Sequence, residues 1–206
     1  MAALAADDES TRLKAALAIG SNPELELLDI VVARCAVEPD FYVRDMLTWA
    51  LTRFPSQITV PRLLVELRSE RAQARSQSLH TLSKIKSADA WPAITQSLLR
   101  DSDDEVARSA WRAAVVLVPS GQEKNLAEEL AAQLGRGNRD MQLSLSRALI
   151  ALGEEVVGPV LRSAMASNDL RVHAHASATE RLLTDPDAAS ERAVNEAKRQ
   201  FVLGKK

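Results

Sequence analysis

Two groups of side chains in this sequence have types and spacing that could form a binding site. Asp45 and Trp49 stand four residues apart, about one helical turn, so a carboxylate and an indole would share one face. Arg108, Arg112 and Arg147 add positive charge in the stretches that follow. Interface hot spots favour Trp, Tyr and Arg, so these residue types point to recognition of a partner.

The cysteine and the paired histidines lack the spacing of a catalytic or metal site. His173 and His175 lie two residues apart, so on a helix they diverge by about 200°. A shared metal needs side chains three or four residues apart. Cys35 falls in an apolar stripe and is expected to be an inert packing residue. The sequence therefore predicts no metal, no cofactor and no catalytic residue.

A periodic apolar pattern predicts the helices that would position these residues. Val43, Leu47, Ala50 and Phe54 follow the spacing i, i+4, i+7, i+11 of a buried helical stripe. The same frame recurs, so the predicted stripes begin at Val43, Ala74, Val106, Met141 and Val172. Three residues before each stripe stand Asp40, Arg71, Asp103, Asn138 and Asp169, and all but Arg71 are good N-cap residues. Each repeat is therefore expected to contain a capped second helix.

A first helix is expected before each second helix. Pro61, Pro92 and Pro159 lead apolar stretches in three of the repeats and predict the start of a first helix there. An uncapped repeat would expose its apolar face, so a helix ending at Gly20 and a helix at 187–203 are predicted to close the two ends. The chain, residues 1–206, is predicted to be one domain with helix pairs at about 21–54, 56–86, 87–118, 119–152 and 153–184.

Composition limits the possible functions. The 206 residues are 46% apolar but only 3% aromatic, which predicts an all-α fold with an aliphatic core. A formal net charge of −2 argues against a general binder of polyanions. The single cysteine excludes an intrachain disulfide, and no apolar run approaches the ~20 residues that cross a membrane. The first residues show no secretion signal, so a cytoplasmic location is expected.

The start of the second helices carries a family resemblance. Asp40-Phe41-Tyr42-Val43-Arg44 has the pattern Asp-x-x-Val-Arg, and Asp103-Asp104-Glu105-Val106-Ala107-Arg108 matches it with the arginine one place late. This pattern resembles HEAT repeats, most closely the short subtype named after phycobilisome lyases, as in small bacterial proteins. The resemblance covers about residues 21–184. It implies a right-handed α-α superhelix of about five helix pairs, whose second helices line a concave groove for partner proteins.

Side chains that point away from the stripes would line this groove. At ~100° per residue, the positions two and six places after each stripe start face away from the core, and basic residues flank them. The predicted groove residues are Trp49, Asp45, His80, Arg108, Arg112, Arg147, Arg44 and Arg75. Their charge favours a protein or peptide partner with an acidic surface. Two alternatives stay open: the basic residues only solvate a helix face, and Trp49 packs against a neighbouring repeat.

Two other classes of function also stay open. HEAT-like alkylpurine DNA glycosylases use a concave-face Trp and Asp among basic residues, and Asp45 and Trp49 superficially suit that arrangement. The net charge of −2 weakens this reading, because phosphate contacts dominate nucleic-acid affinity. The subtype name suggests a lyase or an accessory subunit for cofactor attachment, but no activated nucleophile accompanies Cys35. The sequence leaves the partner's identity and the oligomeric state open.

Overall fold

Side-chain caps begin most of the second helices, as the sequence predicts. The computed structural model describes residues 2–185. In it, the carboxylate or amide oxygen of each capping residue accepts a backbone N–H from the first turn of the helix that follows. The capping residues are Asp8, Asp40, Asp103, Asn138 and Asp169. The helix that follows Arg71 begins without a side-chain cap.

The secondary structure of residues 2–185 is helical, with no strand. The helices are α1 (Glu9–Ser21), α2 (Leu28–Cys35), α3 (Phe41–Arg53), α4 (Ser56–Glu66), α5 (Ala72–Ile85), α6 (Gln96–Leu99), α7 (Asp104–Leu117), α8 (Glu123–Ala131), α9 (Arg139–Ile150), α10 (Glu154–Met165) and α11 (Leu170–Thr184). Short 3-10 helices lie at Ala2–Ala5, Leu25–Leu27 and Ala88–Ala93. The predicted all-α fold is confirmed.

The chain divides into two compact units, with the boundary between Gln122 and Glu123. In the first unit, the second helices α3, α5 and α7 pack side by side in that order, and α1 packs on the other side of α3. The first helices α2, α4 and α6 pack against them. In the second unit, α10 packs on α8 and α11, and α9 contacts all three. The single domain and its repeat boundaries stay predictions, and the predicted cap at 187–203 lies outside the described residues.

The predicted apolar stripes form the core of the first unit. Val43, Leu47, Ala50 and Phe54 are each at most 4% exposed. The stripe of α7 is buried in the same way, and beside it Trp111 is fully buried, with Nε1 donating to the carbonyl oxygen of Leu99 at 2.8 Å. Small and aliphatic side chains let the second helices lie close together, which agrees with the low aromatic content of the sequence.

Two prolines lie inside helices rather than at their first turn. Pro61 is the sixth residue of α4, and Pro159 is the sixth residue of α10. Each therefore removes one intrahelical hydrogen bond, a cost that a first-turn proline avoids. The prediction that these prolines lead the first helices is wrong, because α4 already begins after Pro55 and α10 after Gly153.

Helix α1, predicted as an end cap, has the frame of a second helix. Asp8 caps it 32 residues before Asp40 caps α3. Arg12 stands four residues after its cap, as Arg44 does in α3. The sequence Asp8-Glu9-Ser10-Thr11-Arg12 is a variant of Asp-x-x-Val-Arg with threonine in place of valine. This variant of the pattern, at residues 8–12, could have predicted that α1 is an additional second helix.

Candidate binding face on the second helices

The arginine four residues after the N-cap holds the preceding loop in three helices. In each case Nη1 donates to the carbonyl oxygens five and six residues earlier, over 2.7–3.2 Å. The three residues are Arg12, Arg44 and Arg75. Arg44 and Arg75 were predicted to flank the groove, and that position stays a prediction. Their guanidinium groups turn back to the loop, because the loop carbonyls lie within reach and lack helical partners.

Two of these arginines also bind a carboxylate that precedes the next second helix. Arg12 donates Nε and Nη2 to the two carboxylate oxygens of Glu38, both at 2.9 Å. Arg75 binds Asp101 in the same two-pronged way, at 3.0 and 3.1 Å. Both acids stand two residues before an N-cap and accept its backbone N–H at 2.9 Å. The two pairs thus link α1 to the start of α3 and α5 to the start of α7.

Glu38 is the most buried carboxylate of this arrangement. Its side chain is fully buried and also receives Arg34, whose Nη2 lies 2.6 Å from Oε2. Burial alone would raise the pKa of Glu38, but hydrogen bonds from Arg12, the Asp40 backbone and Arg34 lower it below its ordinary value. Glu38 is therefore a charged, fully bonded group of the fold.

The remaining candidate residues of the first unit stand at matching repeat positions of α3, α5 and α7, and Lys84 stands one turn after His80. We define the second-helix face as Asp45 and Trp49 of α3, His80 and Lys84 of α5, and Arg108 and Arg112 of α7. Trp49, His80 and Arg112 occupy one repeat position, nine residues after Asp40, Arg71 and Asp103. Trp49 is 38% exposed, Arg112 is exposed and His80 is half-buried. Adjacent helices therefore present these three side chains in a row.

Charged side chains on both neighbouring helices affect the pKa of His80. Its pKa is lowered, first by burial and then by the positive charges of Lys84 and Arg112, while the carboxylate of Asp45 acts in the opposite direction. Asp45 lies on α3 and Arg112 lies on α7, so His80 on α5 stands between a negative and a positive group. At neutral pH the imidazole is therefore neutral.

Arg108 and Arg112 form a pair of like charges on α7. Although Arg112 is exposed in part, burial of the rest of its side chain lowers its pKa; the charge of Arg108 lowers this pKa further, and the carboxylate of Glu105 raises it. Nη2 of Arg112 reaches the hydroxyl of Ser109 at 3.0 Å, and within residues 2–185 no carboxylate lies within ion-pair distance of it. Arg108 contacts Glu105 at 2.7 Å, but its buried Nε has no hydrogen-bond partner in the described structure. The pair is thus incompletely neutralised.

Trp49 both packs and remains accessible. A Cβ added to Gly20 of α1 would lie 2.2 Å from Cζ3 of Trp49, so the ring rests directly on that glycine. The packing alternative is thus correct in part, while over a third of the side chain stays exposed. Leu17 of α1 occupies the equivalent repeat position and is 40% exposed. Sequence reasoning missed Leu17, because α1 was not aligned with the other repeats.

Two aromatic residues extend the exposed surface of α3. Phe41 is 64% exposed and Tyr42 is 72% exposed, and their rings meet edge to face with centroids 5.6 Å apart. They begin the helix one turn before Asp45. The sequence signature contains both residues, but they were not predicted as contact residues because they fall between its cap and its packing position.

Arg147 lies on α9 of the second unit, where it is exposed. That unit also contains a buried polar cluster around His175. The Gly135 N–H donates to Nδ1 at 3.0 Å, so the proton of the neutral imidazole sits on Nε2, which donates to the Gln142 carbonyl at 2.9 Å. The hydroxyl of Ser146, 3.1 Å from the same Nε2, therefore faces a donor and not a base. This cluster is structural.

Two open recesses among the described residues are lined by side chains other than those of the second-helix face. One, of about 540 Å³, is lined by Leu64, Val65, Glu66, Arg68 and Ser69. The other, of about 440 Å³, lies between α10 and α11. Among the described helices, none has the length and apolar content to cross a bilayer.

Comparison with known families agrees with the repeat pattern. Residues 28–116 match the family model of HEAT repeats. The matched stretch runs from α2 into α7 and includes all six residues of the second-helix face. This match and the all-helical secondary structure together identify the fold class as the predicted α-α solenoid.

One solved structure covers most of the chain. The crystal structure of an engineered protein, target OR329 of the Northeast Structural Genomics Consortium, is 20% identical, covers 89% of this chain and 93% of its own, and has a TM-score of 0.46. That score is too low to support an argument. No curated protein sequence matches the chain. The phycobilisome-lyase subtype and the bacterial source remain predictions.

Proposed function

We propose that this chain is a non-enzymatic scaffold that binds a partner protein or peptide through the second-helix face. HEAT repeats generally act as scaffolds for protein interaction. The observation that carries the proposal is the row of Trp49, His80 and Arg112. Three adjacent helices present an aromatic, a titratable and a cationic side chain at one repeat position, and none of them forms an ion pair within the described residues.

The chemistry of this face suits a partner that carries carboxylates. Arg108 and Arg112 repel each other in a partly buried setting, and a carboxylate between them would relieve that repulsion. Arginine binds carboxylates through two parallel N–H···O bonds, which adds geometric specificity to the charge. The exposed part of Trp49 supplies apolar contact area next to the charges. An acidic protein surface therefore remains the expected partner.

Two groups that would be candidates for catalysis have structural surroundings. Cys35 is 4% exposed, and burial raises its pKa to about 12, so the thiol is protonated at neutral pH. Burial lowers the pKa of His175, and its proton lies on Nε2, the nitrogen nearest Ser146, so the ring offers that hydroxyl no base. Both observations support a binding role. The extension of the groove to Arg147, its concave shape and a cytoplasmic location stay predictions.

Capture from a native lysate tests this function. We expect the wild-type chain to retain a partner that Trp49→Ala/Arg112→Glu does not retain, because that double variant removes the aromatic contact and reverses one charge. Arg68→Glu is the matched control, since Arg68 is an exposed arginine that lies off the second-helix face. Thermal unfolding must show that both variants fold. Equal capture of the same partner by all three proteins would contradict the proposal.

A further inference from the structure

The second-helix face has two chemically different sides. Helix α3 presents a carboxylate among aromatic side chains, and helix α7 presents two guanidinium groups. Helix α5 lies between them, because it packs on both. The charges on the face are therefore segregated by helix and not mixed.

On α3, Asp45 stands between aromatic side chains. Phe41, Asp45 and Trp49 follow one another at intervals of four residues, so each lies one turn further along the same face. Tyr42 falls within the same arc of about 100°. Within residues 2–185, no basic group lies within ion-pair distance of Asp45. A carboxylate flanked by aromatic rings is a suitable site for a lysine or arginine side chain, through charge and cation–π attraction.

On the opposite side, positive charge extends from α7 to α5. Arg108 and Arg112 lie one turn apart, and both Arg112 and Lys84 act on the pKa of His80. Burial and mutual repulsion lower the pKa of Arg112, so an anion placed here gains from both groups. This side of the face is suited to carboxylates.

We propose that the occupant of the second-helix face is an extended protein segment with segregated charges. Its carboxylates bind Arg108, Arg112 and Lys84, and one basic side chain binds Asp45 between Phe41 and Trp49. This inference rests on the proposed function and adds to it the charge order of the partner.

Helix spacing sets the distance between the two charged parts of the segment. Packed helices lie about 8–10 Å apart, so α3 and α7, separated by α5, lie roughly 20 Å apart. An extended chain advances about 3.3 Å per residue. The basic residue of the partner is therefore separated from its acidic group by about six residues.

Synthetic peptides with varied spacing test this inference. Each fluorescein-labelled probe carries one lysine and a run of three glutamates, separated by proline linkers of about two, six or ten residues, which stay extended at about 3.1 Å per residue. A fourth probe carries the glutamates alone. By fluorescence anisotropy at low salt, we expect the six-residue probe to bind wild type about tenfold more tightly than the others, equivalent to about 1.4 kcal/mol.

Two variants separate the contribution of Asp45 to peptide binding from that of the basic side chains. Asp45→Asn is expected to abolish the spacing preference while leaving the affinity for the glutamate-only probe unchanged or slightly higher. Arg112→Gln is expected to weaken all four probes. Glu70→Gln, at an exposed carboxylate in the loop before α5, is the matched control and should resemble wild type.

The possible failures are distinguishable. If Arg112→Gln weakens binding but spacing and Asp45 have no effect, the charge order is overturned and the proposed function stands. If the six-residue probe does not bind at millimolar concentration, the charge order is overturned as well. The proposed scaffold function is then tested separately by capture from the lysate. If substitution of Trp49 and Arg112 also leaves capture of the partner unchanged, both proposals are contradicted.

Discussion

Glu38 is the residue on which the packing of α1, α2 and the start of α3 depends. It is fully buried and holds Arg12 and Arg34 at once, and it also caps the N–H of Asp40. Replacing such a carboxylate leaves buried positive charge without compensation, which costs more than the intact pair contributes. The fold is thus expected to tolerate the loss of this group poorly, although Glu38 is not part of the second-helix face.

We predict that Glu38→Gln lowers the free energy of unfolding by about 3 kcal/mol, because it leaves the Arg12 guanidinium buried without its counter-charge. Urea unfolding followed by circular dichroism measures this change. Glu70→Gln, at an exposed site, should change stability by less than about 0.5 kcal/mol. A loss no larger than that of the control would show that the buried pair contributes little.

Acid should remove the stabilisation that Glu38 provides, and it should do so in a defined pH range. The pKa of Glu38 lies below its ordinary value of 4.5 in the folded state, so the unfolded chain binds its proton first. The stabilisation is therefore present above pH 4.5 and is lost as the pH falls through the folded pKa. Unfolding free energies measured from pH 6 to pH 3 should fall more for wild type than for Glu38→Gln. Parallel curves would contradict this assignment.

We predict a second, separate loss of stability when His175 is protonated. Its pKa lies below the ordinary 6.5 because of burial, so the folded state favours the neutral imidazole. Protonation at Nδ1 would also break the bond from Gly135. Stability is therefore full above pH 6.5 and declines as the pH falls toward the folded pKa. NMR titration of the imidazole should show a midpoint below 6.5, and a midpoint above 6.5 would contradict this account.

At the scale of the element, the contact between α1 and α3 decides the position of Trp49. Gly20 lies under the ring, and an added Cβ would also meet the backbone of Ala50 at 3.0 Å. Alanine normally stabilises a helix interior relative to glycine by up to about 1 kcal/mol. Here the rigid ring and the backbone leave no room, so overpacking outweighs that gain.

We therefore predict that Gly20→Ala lowers stability by about 1–2 kcal/mol and moves the Trp49 ring. Gly158→Ala in α10 is the matched control, because its nearest neighbour, at 3.2 Å, is the flexible end of Arg162. The control should be neutral or stabilising. Thermal unfolding and tryptophan fluorescence check both variants, and equal effects at the two glycines would contradict the packing account.

The sequence predicted the helices better than it predicted the direction of individual side chains. Cap and stripe positions follow from helical periodicity, so α3 and α7 were placed correctly. The direction of a long side chain does not follow from periodicity, and Arg44 and Arg75 turn back to loop carbonyls that no sequence pattern reveals. Leu17 was missed because a threonine stands in α1 where the signature has valine.

At the scale of the whole molecule, the first unit places one repeat position of α1, α3, α5 and α7 in a row, since these helices pack side by side. The series Leu17, Trp49, His80, Arg112 changes from apolar to cationic along the first unit. A repeat array can therefore vary the side chains of this surface while its caps and stripes stay constant. In this chain, that variation gives the face its charge order and its expected preference for an acidic partner.

Tryptophan NMR tests the central claim most directly, since the chain contains three indole N–H groups in different settings. Trp111 is buried on Leu99, Trp91 donates to Gln122 at 3.1 Å, and Trp49 is on the second-helix face. Spectra assigned with Trp49→Phe would be recorded during titration with the six-residue probe. We predict a saturable shift of the Trp49 signal, with the other two unchanged. Binding that shifts Trp91 and leaves Trp49 in place would contradict the account.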